Sequence, residues 1–452
     1  MPNAKILQLG AAGAAGGTKY FAGIYTWAGS TNSINRRGCV YEPLDDYAQV
    51  YLVYNITSQN GYGMFTVDLT TGDYKYSRRI YSTANYTTNP ISFNRGIDSS
   101  GNANYGIPWL QSGQNSNYFF KRNSSTSVTT YTQYVAGFGY FYSPDLNGTV
   151  WSPNGNPIVF GKFVNYDKPS GVIASSYNTN SSYTNKFLLA GDGGADSITS
   201  AIVYNSTQVI YGSNDESYDR PNVYKVTYNS TDVIQSFVRM NLTNTTLTTD
   251  GNTCVAYRPT GDILYVSTWK GIWAFTASTL NVHSTITGRL CPTNAPNPGL
   301  APSYYSQYTV RISYDSVNDR IYWSSGAHFV LALSPDLSTI YWTITGDFWN
   351  AEVTPKNDED GNIIFSARCS SNNKTIIVAQ LDKDASQVPT SYTTVATGLS
   401  WQRVLSGVTM STDTATKNND APFSYIRSGA ATSPTTSSFL NQDPTTQNVV
   451  NV

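Results

Sequence analysis

The residues able to do acid–base or metal chemistry are few and scattered along this 452-residue chain. Two histidines, His283 and His328, each stand alone in a strand-like run. Neither has the HExxH or His-x-His spacing that brings two imidazoles to one ion, so each is expected to be a satisfied or solvent-facing strand residue. The four cysteines, Cys39, Cys254, Cys291 and Cys369, include no CxxC pair, and a small thiol in a strand suits a core position better than a zinc site. Disulfide frameworks belong mainly to domains too small to bury a core, so folding in a reducing cytosol is compatible with this cysteine usage. One stretch has the start of a cation loop: Asn357, Asp358 and Asp360 before Gly361. Closely spaced carboxylates can wrap a hard cation, but the twelfth loop position carries no glutamate. Asp358 and Asp360 are therefore metal candidates at a place where a plain turn is expected. Spacing alone assigns no catalytic residue, no ligand-binding residue and no cofactor.

The elements that would have to position any site are more informative. A β-type run, a tight polar turn and a second β-type run recur seven times, opening at Cys39, Gly96, Phe141, Ala201, Cys254, Arg311 and Glu352. The first turns fall at Asp46, Gly101, Gly148, Thr207, Gly261, Asp319 and Gly361, an interval averaging roughly 52 residues, the length of a propeller blade. Most units continue into a third strand and another turn, as at Phe65 to Leu69 before Thr71-Gly72-Asp73 and at Val223 to Tyr228 before Asn229-Ser230-Thr231; Ile272 to Phe275 and Val330 to Leu333 are the matching runs in later units. Alternation of period two, β-branched and aromatic enrichment and turn residues at the joints are strand and hairpin signals. The fold expected is all-β, a single β-propeller of seven four-stranded blades. First-strand positions Val203, Val255 and Ile312 should be buried, and Thr207, Gly261 and Asp319 exposed.

A ring has to be closed by an end of the chain. The alternating run Tyr20 to Trp27 is the favoured closing strand of the last blade, and residues 401–408 compete with it. The expected organisation is a Gly/Ala-rich N-terminal arm over 1–18, the propeller over 19–410 with the first blade core from about residue 37, and a Ser/Thr/Asn-rich C-terminal arm over 411–452. The C-terminal composition lacks large apolar residues, so both arms are expected to be mobile until other chains hold them. Residues 1–18 resemble a secretory leader, with Lys5 before Ile6, Leu7 and Leu9, but the apolar part is short and broken by Gln8, so no leader is expected.

Formal net charge is -1 with 13% charged residues. Such a balance supplies neither the basic stripe of a nucleic-acid binder nor a patch for anionic membranes, so neither nucleic-acid binding nor membrane insertion is expected. The surface must instead carry hydroxyls and amides, and 35 tyrosines add rings that bring contact area and a hydroxyl at low entropic cost. Asn-x-Ser/Thr sequons occur at Asn55, Asn85, Asn123, Asn147, Asn180, Asn205, Asn229, Asn241, Asn244 and Asn373. A chain this rich in Asn, Ser and Thr produces that many by composition, and glycosylation is not inferred.

Ser143, Asp145, Gly148 and Trp151 approach the Asp-box of sialidase-type propellers, with one residue too many between Asp and Gly and a single copy. The run Gly96-Ile97-Asp98-Ser99-Ser100-Gly101-Asn102, followed by a β run and hairpin, resembles β-propeller repeats of bacterial surface proteins and of tailed-phage virion proteins, marine phages included. The opening ILQLGAAGAAGG before an aromatic strand is similar to the starts of such phage structural proteins. Blades 1, 3 and 4 depart from the Asp-Ser-Ser-Gly-Asn form, so no functional residue is carried over. The resemblance implies a non-enzymatic virion component, tail-associated or fibre-like and made in the host cytoplasm. Its partners would be other virion proteins in several copies and a host-surface glycan or protein. The competing class is a carbohydrate-binding or carbohydrate-active propeller, a lectin, glycoside hydrolase or lyase using a central funnel.

Overall fold

The computed structural model describes the strands and tight turns between Tyr20 and Asn451. Residues 1–19, 82–94, 98–102, 123–127, 135–141, 176–183, 191–196, 216–219, 244–252, 293–309, 394–399, 405–409, 419–423 and 431–434, with several shorter loop pieces, lie outside the described residues. With them go the expected N-terminal arm, the turn at Gly101 and the sequons at Asn85, Asn123, Asn180 and Asn244. The described residues form 36 strands and no helix, and every strand pairing is antiparallel.

The chain runs through six four-stranded meanders in sequence order and a seventh unit that an N-terminal strand completes. Unit 1 is Thr31–Glu42, Tyr47–Ile56, Gln59–Asp68 and Tyr74–Tyr81; unit 2 is Arg95–Ile97, Ala103–Gln111, Gln114–Arg122 and Val128–Tyr134. Unit 3 is Tyr142–Trp151, Pro157–Asn165, Lys168–Ser175 and Thr184–Ala190; unit 4 is Ser197–Val203, Gln208–Asp215, Arg220–Tyr228 and Ile234–Thr243. Unit 5 is Cys254–Arg258, Ile263–Thr268, Gly271–Thr276 and Arg289–Pro292, and unit 6 opens with Arg311–Asp315, Arg320–Ser324 and Ala327–Leu333. The 16-residue strand Ile340–Pro355 then serves two units. Its first half is the last strand of unit 6 and its second half the first strand of unit 7. The two halves separate at a register break between Trp349 and Glu352, where Asn350 takes a left-handed φ of 54°, a conformation asparagine tolerates better than most residues. Unit 7 continues through Ile363–Cys369 and Thr375–Leu381 and is completed by Phe21–Thr26 from the N-terminal end, in register from Phe21 opposite Gln380 to Thr26 opposite Thr375. The other closing candidate, 401–408, goes elsewhere: Ser400–Val404 pairs with Thr343–Gly346 on the outer edge of unit 6.

The C-terminal segment is a belt. After Ser400–Val404 on unit 6, Met410–Asp413 pairs with unit 5, Thr416–Asn418 with unit 4 and Ser424–Ala430 with unit 3. Thr435–Ser437 then pairs with unit 2, Leu440–Asn441 with unit 1 and Thr446–Asn451 with the Phe21–Thr26 strand of unit 7. Each pairing adds an outermost strand, and the belt visits the units in the reverse of their order in the chain. Composition had pointed to an arm awaiting other chains. The physical difference is that an edge strand is held by main-chain hydrogen bonds to a row of otherwise unpaired N–H and C=O groups, which requires no apolar side chains of its own.

The core lies between consecutive units. Alternate residues of one strand face opposite neighbours: Val209 and Tyr211 join a cluster with Ile158 and Phe160 of unit 3, whereas Ile210 joins Leu264 and Val266 of unit 5. The same division gives a cluster between units 5 and 6 around Tyr265, Trp323 and Leu331, one between 6 and 7 around Trp342, Phe365 and Trp401, and one between 7 and 1 around Trp27, Tyr54 and Phe65. Strands with both faces covered read as continuous apolar runs, and Ile263–Thr268 and Thr375–Leu381 are buried at every position. Burial of the first strands is uneven. Val255 is buried, Ile312 is only partly so, and Val203 is 45% exposed, because it ends its strand at the Tyr204–Gln208 turn. Thr207 and Gly261 are exposed and Asp319 half-buried.

The expected turn at Gly148 is also displaced. Gly148 pairs with Phe160 inside the Tyr142–Trp151 strand, just after a bulge between Leu146 and Gly148, and the chain reverses at Ser152–Gly155, where Gly155 has φ 81° and its N–H bonds to the Ser152 carbonyl at 2.9 Å. The Asp-box likeness fails for the same reason, since its residues lie along a strand. A second glycine is fixed by close approach: at Gly72, with φ of +76°, an added Cβ would lie 2.6 Å from Val449 of the belt and 2.9 Å from Phe21.

Candidate functional site

From unit 2 through unit 7 to unit 1 the first strands of successive units touch one another, and from unit 4 to unit 1 they are tied by a repeated latch. A short side chain on one first strand donates to a carbonyl on, or immediately before, the next. Ser200 Oγ bonds to Thr253 O at 2.9 Å, Cys254 Sγ to Val310 O at 3.0 Å, Ser313 Oγ to Val353 O at 2.7 Å and Thr354 Oγ1 to Cys39 O at 3.1 Å. Burial pushes the Cys254 thiol up to about 11, and burial with the nearby Glu352 carboxylate pushes the Cys39 thiol up to about 12. Thiols held this firmly protonated are packing residues and donors, not nucleophiles. Cys369 is likewise buried and free; the Cys291 side chain lies outside the described residues.

Charged side chains concentrate where units 6, 7 and 1 meet. Arg311 opens the first strand of unit 6, and its guanidinium donates to Val310 O at 2.7 Å and to Arg37 O of unit 1, with Nε 3.8 Å from Glu352 Oε2 of unit 7. A unit 6 side chain thus reaches past unit 7 to unit 1, which places the three first strands around one point. Glu352 also pairs with Arg36, whose Nε donates to Ser366 Oγ at 2.8 Å and Nη1 to Asn350 O at 2.6 Å. The Arg36 side chain is fully buried and Glu352 is 16% exposed. Burial lowers the pKa of Arg311, which Glu352 partly offsets.

Beside this triad, half-buried Arg368 lies opposite Trp349 in the unit 7 pairing. It donates through Nη1 to Asn35 Oδ1 of unit 1 and stands 5.9 Å from the Trp349 ring centre, within cation–π range. Trp349 Nε1 donates to His328 Nε2 at 2.8 Å, and His328 Nδ1 lies 3.2 Å from Gly346 O. An accepting Nε2 and a carbonyl at Nδ1 assign the neutral tautomer protonated at Nδ1. His328 is therefore an orienting residue for Trp349, held at φ 42°. His283 is a turn residue whose Nδ1 accepts from the Ile286 N–H at 3.2 Å.

The first turns form the opposite end of these strands and carry a second set of links. Asp46, Asp262, Asp319 and Asn357 all take left-handed φ between 51° and 55°. Tyr314 bonds to Asp319 at 3.0 Å and Tyr257 to Asp262 at 3.3 Å, a Tyr-x4-Asp spacing shared by Tyr41 and Asp46. The turns then join unit to unit: Tyr204 to Asp262 at 3.1 Å, Arg258 to Asp319 at 2.6 Å, Ser316 to Asn357 at 2.8 Å and Lys356 to Asp46 at 2.7 Å. The Arg258 pair holds the Asp319 carboxyl below its ordinary range. Asp358 lies in this system, 3.1 Å from the buried Lys356 ammonium, while Asp360 is exposed and Gly361, at φ 65°, closes a turn through the Asp358 carbonyl at 3.1 Å. A cation paired with Asp358 opposes metal binding there, and among the described residues no three His, Cys, Asp or Glu side chains converge on a common point.

No protein-family model matches the chain, and no curated protein matches it. Among the described residues no helix is long and apolar enough to cross a membrane.

Proposed function

We propose that the chain is a seven-bladed β-propeller, each unit a blade with its first strand nearest the axis, and that it works as a non-enzymatic binding and assembly component of a tailed-phage virion. The observation that carries this reading is the belt. Seven four-stranded units would leave seven outer edges open to pairing with other chains, and the C-terminal segment gives each unit an outer partner from the same chain. A scaffold fastened in this way meets its partners through loops on its faces, which suits a particle protein exposed to the medium. Closure is supported by Arg311 reaching from unit 6 to unit 1 and by the N-terminal strand pairing with both unit 7 and the belt's end. The host-facing contact would be made by the amide- and aromatic-rich loops. Mass spectrometry and cryo-microscopy of purified virions test the proposal: the protein should be present in fixed stoichiometry with propeller density on the particle surface, and its absence from washed particles overturns it.

A carbohydrate-binding or carbohydrate-active propeller is the second reading, favoured by the grouping of Trp349, Arg368 and Asn35. Release of reducing ends from a glycan panel would make it the better one.

A further inference from the structure

We infer that the junction of units 7 and 1 is an oxyanion-binding site, centred on Arg368 and taking a carboxylate or phosphate group of a surface glycan or polymer. The inference rests on the host-binding reading above but is carried by the surroundings of Arg368, whose Nε is buried with no hydrogen-bond partner. At this junction the Glu352 carboxylate pairs with Arg36 and with Arg311, while Arg368 lies opposite Trp349 in the unit 7 pairing. That carboxylate is already shared by Arg36 and Arg311. Asp347, two residues before Trp349, lies 3.8 Å from the Cys369 thiol.

Arg368 is the member left over. Among the described residues it hydrogen-bonds to a neutral amide, Asn35 Oδ1. Its Nε is buried without a hydrogen-bond partner, and among the described residues no carboxylate pairs with it. A half-buried guanidinium without a counter-anion is costly, and its planar fork is matched to carboxylate and phosphate oxygens. The surroundings hold it ready: Trp349 covers one face of the guanidinium, His328 fixes the Trp349 indole, and Asn35 fixes one end of the fork. Asn35, Trp349, His328 and Arg368 all retain some exposure, so a ligand group has access.

The test is calorimetric titration of the full chain at low salt with methyl glucuronoside, with inorganic phosphate and with neutral methyl glucoside. Binding of the glucuronoside, of phosphate or of both, and not of the glucoside, is expected; the arm that binds identifies an acidic sugar or a phosphoryl polymer. Arg368→Gln should weaken that binding roughly tenfold or more, the scale of a lost charge-assisted hydrogen bond. Arg368→Lys should retain part of it, and Arg258→Gln, on the turn end, should leave it unchanged. Melting curves for each variant separate loss of binding from loss of fold. Equal binding of the neutral glucoside, no anion binding at all, or affinity unaffected by Arg368→Gln overturns the inference. If anion binding is absent but the protein is present in virions, this site falls while the proposed function stands.

Discussion

Glu352→Gln is the substitution whose consequence follows most directly from the geometry. The change keeps size and shape but removes the one negative charge shared by Arg36 and Arg311, side chains that are 0% and 11% exposed. Removing one partner of a buried ion pair costs about 3–5 kcal/mol, because the remaining charge stays desolvated. Glu352 is 16% exposed and the arginines keep their hydrogen bonds to Ser366 and to main-chain carbonyls, so the low end, ~3 kcal/mol, is appropriate. That is on the order of a 100-fold change in the unfolding equilibrium. The assay is urea unfolding followed by tryptophan fluorescence, for Glu352→Gln, Arg36→Met and the double variant. The double variant should cost clearly less than the sum of the two singles, since removing the orphaned Arg36 relieves the penalty. A single-variant cost below ~0.5 kcal/mol, or strict additivity, would show that these groups are solvated and that the first strands do not converge as described.

Three further outcomes are expected. Ending the chain after Val404 should leave β-sheet circular dichroism nearly intact but lower the melting temperature and drive concentration-dependent association by light scattering, because the outer edges of six units lose their partners; a monomer of unchanged stability would count against the belt. Trp401→Ala should cost about 3–5 kcal/mol, since the indole is buried and stacked on Phe365 at 5.2 Å, and a loss under ~1 kcal/mol in urea unfolding would mean that the belt's first strand is not packed there. Asp319 and Asp336 titrate below their ordinary value, the first through Arg258 and the second through Ser334 and Ser338. Their contribution is therefore present above the unfolded carboxylate range, near pH 4, and lost as pH falls through the lower folded values; Asp319→Asn should flatten that acid limb in urea midpoints taken between about pH 2 and 6, and an unchanged limb would remove the linkage.

The all-β class and the repeated meander were legible because both depend on local signals, period-two alternation and turn residues. Where the first turn carries Asp or Asn in a left-handed conformation the reading placed it well, whereas at Gly148 a glycine inside a bulged strand imitated a turn that belongs to Gly155. Val203 shows the limit of period-two reasoning at a strand end, where alternation continues but the covering neighbour does not. The belt was hidden for a different reason: composition reports what side chains can bury, while edge pairing is main-chain chemistry that Ser, Thr and Asn do not oppose. The turn-end links had a signal that went unread, the recurring Tyr-x4-Asp at Tyr41, Tyr257 and Tyr314. The charged junction had one as well, in the charges Arg36, Arg311 and Glu352 placed on the first strands of three units. Their convergence depends on contacts across some 300 residues of chain, which no local pattern encodes.

Hydrogen exchange of the isolated, monomeric chain tests most directly whether the molecule closes on itself with its own two ends. The account predicts slow amide exchange in 21–26 and 446–451, with 424–430 protected in the same range as the unit 3 strand it pairs with, all without any partner protein. Random-coil exchange through 410–451 beside fully protected units would contradict it.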